Sequence, residues 1–477
     1  MLLLNLPIAI ARYLGQLLGG LGALAWMATR VFAKGGIARR SRRPEGQRHA
    51  FAALRAFQPN LVLSQVLVKA YDNTGTVIVG RREDVREVLE RNDVFDVVYG
   101  PRMEMITGGA NFFLGMQDVP DYTRDVSNMR VTVRRADLPT IVAPCVAAKA
   151  AELVAASGGR IDVPQALTLP TAHHLLDVYF GTPGPSAAEM IDWTTTLFWY
   201  LFIDLAANPT FDAKAVSAAA SLRAYLDGAI AARKASGETR DDILGRCLAL
   251  QASGAPGMDD LGVRNNLVGL LIGELPTTSC AANRALDQLL ARPAALASAC
   301  AAALADDDAL LAQHVYEALR FYPVNPIIYR RAICETSIAA GTARERHVKL
   351  GSMVMASNLS AMFDGTELPA VNSFRTDRPW DAYMLWGYGM QHLLWRLSQP
   401  SHPAGRVEAP AEAGGPAPRA GRRRPDRQRR HAVPRALQRR VRTRRPRRFL
   451  LTTIRSRFSI AFRWIRPAAC ALDPRVW

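Results

Sequence analysis

The sequence predicts a mainly α chain with small β-sheets. Three observations predict it: long alanine- and leucine-rich stretches with helical spacing, short β-branched runs between them, and no glycine- or serine-rich linker across residues 50–390. The helical stretches are Ala147–Ala155, Ala213–Ala232 and Val263–Leu290, whereas Thr76–Val79 has strand composition. With 477 residues and no internal repeat, the expected organisation is an apolar segment 1–35, one large domain 36–390, and an Arg/Pro-rich tail 391–477. The six cysteines (145, 247, 280, 300, 334, 470) form no CxxC pair and no disulfide spacing. That excludes a disulfide scaffold or zinc finger and places the chain in a reducing compartment, the cytoplasm or the cytoplasmic face of a membrane.

The N-terminus is apolar from Met1 to about Ala33, broken by Arg12 and Arg30, with 17 residues from Tyr13 to Thr29 between them. That is the short limit of a span needing roughly 20 residues. Basic residues follow at Lys34, Arg39, Arg40, Arg42 and Arg43, as on a cytoplasmic flank. Two readings stand: a membrane anchor formed by 1–35, or a leading helix packed on the domain.

Within the domain, two segments stand out early, Val77–Leu89 and Asp118-Val-Pro-Asp-Tyr-Thr-Arg124. Leu271-Ile-Gly-Glu-Leu-Pro-Thr-Thr278 places a proline mid-helix, where it deletes a backbone hydrogen bond and is expected to kink the helix and open a groove. Glu317-Ala-Leu-Arg320 sets an acid and a base one turn apart, and is followed by Phe321-Tyr-Pro323, Pro326 and Arg330. Phe374-Arg-Thr-Asp-Arg-Pro379 comes next, then Trp386-Gly-Tyr-Gly-Met-Gln-His-Leu-Leu-Trp395. His173 and His174 border an apolar stretch without metal-ligand spacing and are expected to be structural. Phe198, Trp199 and Phe202 are expected to line an apolar pocket or a helix core.

In this order and spacing the segments resemble the cytochromes P450, the haem-thiolate monooxygenases, over about residues 50–390. The resemblance implies a structural lock of Glu317, Arg320 and Arg378, and a strand arginine, Arg330, that meets a haem propionate. It places Thr277 and Thr278 on the helix over the haem, with Pro276 where the family carries an acid. Glu274 is expected not to replace that acid, being two positions away on another face. Tyr122 and Arg124 correspond to the family's haem-contacting histidine and arginine, the histidine being replaced. Trp386, Gly387 and Gly389 open the family's cysteine loop, aromatic-Gly-x-Gly-x-His-x-Cys-x-Gly. On that alignment Leu393 stands at the iron-ligand position and Trp395 at the closing glycine. Leucine has no lone pair to give, so the chain as written has no metal ligand there. His392 is one residue away, without the glycine framing.

The genetic code accounts for the break. Gln391 is C-A-purine and His392 is C-A-pyrimidine, so removing the third base of codon 391 forces histidine next. Trp395 is T-G-G before an arginine codon, so the shifted frame forces glycine. Cysteine between them requires only that the Leu393 codon end in G. The restored loop reads Gly-Tyr-Gly-Met-His-x-Cys-x-Gly. The same shift permits Gly-Thr-Pro-Phe-Pro-Glu-Arg-Phe from Arg430 to Leu437, similar to the family's C-terminal strand segment. A one-base insertion near codon 391 is therefore the expected cause.

Charge points the same way. Residues 391–477 hold 22 arginines, no lysine and four acids, whereas the remaining residues hold 38 basic and 38 acidic side chains. The net charge of +18 thus sits wholly in the tail. A nucleic-acid arm ordinarily mixes lysine with arginine and polar spacers; Arg/Pro/Ala without lysine is what a GC-rich gene yields out of frame. Nucleic acid is not expected as a functional partner, although such a tail sticks to polyanions.

By resemblance, then, the expected cofactor is haem, the substrate an apolar small molecule, and the electron-transfer partner a ferredoxin or reductase. The chain as written is expected to be inactive and poorly loaded. Two alternatives remain: an isomerase or peroxygenase once the frame is corrected, suggested by Pro276, and a non-catalytic pseudoenzyme with a nucleic-acid-sticky basic tail.

Overall fold

The computed structural model describes residues 2–31, 43–110, 112–385 and 387–389, with side chains described from Ile10 onward. Trp386 and everything from Met390, including Gln391, His392, Leu393 and the tail, lie outside the described residues.

Helices dominate, as the composition predicts. Helix α1 (Leu2–Val31) and α2 (Pro44–Phe57) precede strands β1 (Asn60–Leu63) and β2 (Thr76–Val79). Next come α3 (Arg82–Glu90), β3 (Phe95–Val97), α4 (Gly100–Thr107), α5 (Pro120–Thr132), α6 (Ala143–Ala156) and α7 (Leu169–Leu175). A layer of long helices follows: α8 (Ala187–Phe202), α9 (Pro209–Ser236), α10 (Ile243–Ala252) and α11 (Asp260–Leu290). The three alanine- and leucine-rich stretches fall inside α6, α9 and α11. After α12 (Pro293–Leu304) and α13 (Asp308–Phe321), the chain forms β4 (Ile328–Ala332), β5 (Thr336–Ile338), β6 (Arg346–Val348), β7 (Met353–Ala356) and the short α14 (Asn358–Ala361).

Start signals explain the helix boundaries. Asp242, Asp259 and Asp307 each accept a backbone N–H from the first turn of α10, α11 and α13. Proline opens α2, α5, α9 and α12, where no helical donor is needed. Gly237 ends α9 with φ of 64°, a left-handed cap that suits glycine.

The main sheet has the order β1-β2-β7-β4-β3, and β5 pairs with β6 separately. Strand β2 runs parallel to β7, with Val77 opposite Val354, and β4 runs antiparallel to both neighbours. Arg330 therefore sits mid-sheet, between Val97 of β3 and Val354 of β7.

Helix α1 lies against the domain. Its inner face packs on α2: a Cβ at Gly20 would come within 2.3 Å of the Ala56 Cβ, and Gln16 Nε2 donates to the Arg55 carbonyl at 2.9 Å. Trp26 stacks on His49 with ring centroids 4.2 Å apart. Among the described residues, the helix long and apolar enough to cross a membrane is Leu138–Ala156, not α1.

Candidate functional site: a buried arginine and a glutamate lock

The best-defined constellation is the Glu317 lock. On α13 both Glu317 and Arg320 are fully buried, and the i,i+3 spacing lets the guanidinium grip the carboxylate with two bonds of 2.8 Å. Arg378 Nε adds a third bond to Glu317 at 3.2 Å, and the Arg375 backbone N–H a fourth at 3.0 Å. Burial pulls the Arg320 pKa below its ordinary value, while Glu317 pushes it back. The Tyr383 hydroxyl donates to Glu317 at 3.4 Å; burial, then that carboxylate, raises its pKa. Arg378 also donates to the carbonyls of Pro369, Ala370 and Ser373, so the lock ties α13 to the segment leading into the glycine loop.

Two residues unmarked by any motif fix the next stretch. Asn358 donates to the carbonyls of Asn325 and Met384 at 2.7 and 3.0 Å, and Arg82 donates to those of Asp381 and Ala382. In the loop itself, Gly387 and Gly389 take φ of 84° and 69°. A Cβ on Gly389 would meet the Leu89 carbonyl oxygen at 2.2 Å, so only glycine fits against the end of α3. Tyr388 accepts from Arg86 Nε at 2.7 Å. The third expected loop residue, Trp386, lies outside the described residues, as does Leu393.

Arg330 is fully buried, and burial holds its pKa below the ordinary value. Its Nη1 donates to the Tyr329 carbonyl at 3.0 Å, whereas Nε and Nη2 have no hydrogen-bond partner among the described residues. Tyr99, Asp96 and Tyr122 are the groups whose charge it senses. Tyr122, partly buried with its phenol pKa raised chiefly by that burial, is thus brought towards Arg330. Arg124 is held by its own neighbours. Its guanidinium bonds Asp121 and Asp125, each at 2.8 Å, and packs beside Gly257. Those carboxylates, three residues before and one after it, claim the side chain locally.

Helix α11 carries the threonine pair. Gly269 is pressed by Phe112, whose ring would lie 2.4 Å from an added Cβ, but a Cβ on Gly273 would meet nothing within 4 Å. One turn on, the Thr277 hydroxyl donates to the Gly273 carbonyl. Helix α11 runs on through Pro276, and the Thr277 hydroxyl bonds back to its own helix. Glu274 is fully buried, and its Oε1 accepts from the Thr278 hydroxyl at 2.9 Å, which ties it to the second threonine.

Other expectations are placed as follows. His173 Nε2 bonds the Pro183 carbonyl at 2.8 Å, a structural role. Phe198, Trp199 and Phe202 pack into the hydrophobic core, with Phe202 edge-on to Tyr99 at 5.0 Å. Among the described residues no cluster of His, Cys, Asp or Glu is arranged to hold a metal ion. The orphaned nitrogens of Arg330 suit the carboxylate of a buried anionic group, and the space at Gly273 suits a flat apolar one.

No protein-family model and no curated protein matches the chain. Solved structures do. The chain is similar to cytochrome P450 TbtJ1 in its ligand-free form, with TM-score 0.61, 19% identity and coverage of 74% of this chain and 85% of that one. It is similar to P450BioI in complex with a hexadec-9Z-enoic acid-ligated acyl carrier protein, with TM-score 0.63, 17% identity and coverage of 74% and 87%. It is similar to CYP109E1 from Bacillus megaterium in complex with testosterone, with TM-score 0.61, 17% identity and coverage of 75% and 88%. Helix order, small sheets, the Glu317 lock and these likenesses agree: the chain has the cytochrome P450 fold.

Proposed function

We propose that residues 36–390 are the body of a haem-thiolate monooxygenase that oxidises an apolar small molecule with electrons from a ferredoxin or reductase, and that the gene leaves its frame after codon 390. The observation carrying this reading is Arg330, a fully buried cation with two unpartnered nitrogens at the middle of the sheet. Leaving a buried donor unpaired costs about 1–3 kcal/mol, more when it is charged, and a carboxylate at the site removes that cost. Arg330 would hold a haem propionate, with Tyr122 nearby. Gly273 and Thr277 would face the macrocycle, and Gly387 and Gly389 would bring the loop backbone under it. Haem, when bound through a cysteine thiolate, supplies oxygen activation. As written, Leu393 cannot supply that ligand, so the product is a pseudoenzyme.

The test is to express two chains, one as written and one with the extra base of codon 391 removed. The corrected chain is expected to retain haem and show the reduced carbon-monoxide absorption of a thiolate-bound iron. The chain as written is expected to show neither. A normal thiolate spectrum from the chain as written would overturn the proposal, and so would a corrected chain that folds but binds no haem.

A second reading concerns the corrected enzyme and rests on Pro276. No acid stands at that position, and the nearest carboxylate, Glu274, is engaged by Thr278. Such a protein would use peroxide or rearrange its substrate in place of activating dioxygen. Turnover with peroxide but not with a reductase supports this reading; reductase-driven hydroxylation rejects it.

A further inference from the structure

Helix α1 has one face bound to the domain and one face without a partner among the described residues. The inner contacts are those of Gln16, Gly20 and Trp26 with α2. The outer face carries Ile10, Tyr13, Leu14, Leu18, Leu21 and Leu24, all between 44% and 69% exposed. Gly15, Gly19 and Gly22 lie among them with nothing near where a Cβ would be. The helix's polar groups are spent elsewhere. Arg12 donates to the Thr366 carbonyl, Gln16 to the Arg55 carbonyl, and Thr29 to its own helix. What remains is an apolar stripe, which Phe57, 43% exposed and touching Gly20, extends onto the end of α2. Scattered apolar side chains on a surface are ordinary, but a continuous stripe of this kind marks a contact surface.

Charge selects the occupant. The chain has no acidic residue before Glu45, whereas Arg30, Lys34, Arg39, Arg40, Arg42 and Arg43 follow the stripe in sequence. A second copy carries the same excess of positive charge, and like charges oppose its docking. An anionic lipid headgroup layer attracts them, with roughly 1 kcal/mol per basic residue near the surface. A helix clamped along one side cannot also bury that side in hydrocarbon, so it does not span. We propose that α1 lies in the plane of an anionic membrane surface, inserting Leu14, Leu18 and Leu21 while its other face holds the domain against the bilayer.

The test uses the full chain and vesicles of phosphatidylcholine with phosphatidylglycerol. The arginine-rich tail will bind these vesicles too, so binding is read in about 0.5 M NaCl, where exposed charge is screened. Leu18→Glu with Leu21→Glu, outward residues, is compared with the unmodified chain. Because both chains carry the same tail, their difference isolates α1. The expected result is at least about a tenfold lower partition coefficient for the variant, with unchanged circular dichroism. Equal retention of both chains would overturn the proposal. So would a lipid-free dimer of the unmodified chain that the variant dissolves, since the stripe would then belong to a second copy. As a measurement needing no variant, vesicles should slow amide hydrogen exchange in α1; no slowing would also reject the proposal.

Discussion

Two buried arginines make opposite demands. Arg320 is fully matched by Glu317, so removing the carboxylate leaves a guanidinium stranded in the core. Glu317→Gln is expected to cost about 3–5 kcal/mol, read as a lower midpoint in urea unfolding. Arg330 is only partly matched, with Nε and Nη2 unpartnered. Arg330→Met is therefore expected to leave the haem-free chain as stable as before, or more so, while reducing haem retention by the corrected chain. A destabilisation of the haem-free chain as large as that of Glu317→Gln would show that Arg330 is structural. Both arginines were legible in the sequence because their partners or their place followed a short, ordered pattern. Arg124 was not, although Asp121 and Asp125 stood beside it and now hold it.

Helix α11 shows what an element reveals and what it withholds. Its length and apolar spacing were legible, as was Pro276. The contact that shapes it was not, because Phe112 and Gly269 are far apart in sequence and only the fold joins them. The glycines on either side of this contact give a paired test. Gly269→Ala would push a methyl into the Phe112 ring and is expected to destabilise by about 1–3 kcal/mol. Gly273→Ala meets open space and is expected to stabilise the haem-free chain by up to about 1 kcal/mol through helix propensity. Equal effects in thermal unfolding would contradict the open space. Similarly, the two loop glycines were visible as a motif, but the reason for Gly389 is the Leu89 carbonyl, which no local pattern discloses.

For the molecule as a whole, the fold buries two of its thiols, those of Cys247 and Cys280. Burial pushes the Cys247 thiol up to about 12 from 9.0, whereas Cys334 is exposed. At about pH 8 an alkylating reagent should label Cys334 and spare Cys247 until denaturant is added, since the thiolate is the reactive form. Prompt labelling of Cys247 would indicate a loose core. The linkage has a definite sign. The folded state favours the neutral thiol, so this contribution is intact below pH 9 and is lost as pH rises from 9 towards 12. The mainly α class was legible from periodicity alone, whereas the order of the five-stranded sheet was not, because parallel pairing of β2 with β7 joins segments nearly the whole domain apart.

The account's central claim is that a chain with this fold loses its reading frame within the loop that should hold the iron. The measurement that tests it most directly is the base sequence of codons 385–396 from an independent template. A frame break at codon 391 predicts a Leu393 codon ending in G, so that removing one purine of codon 391 reads Gly-Tyr-Gly-Met-His-x-Cys-x-Gly. A Leu393 codon ending in any other base would put no cysteine in the shifted frame and would contradict the break.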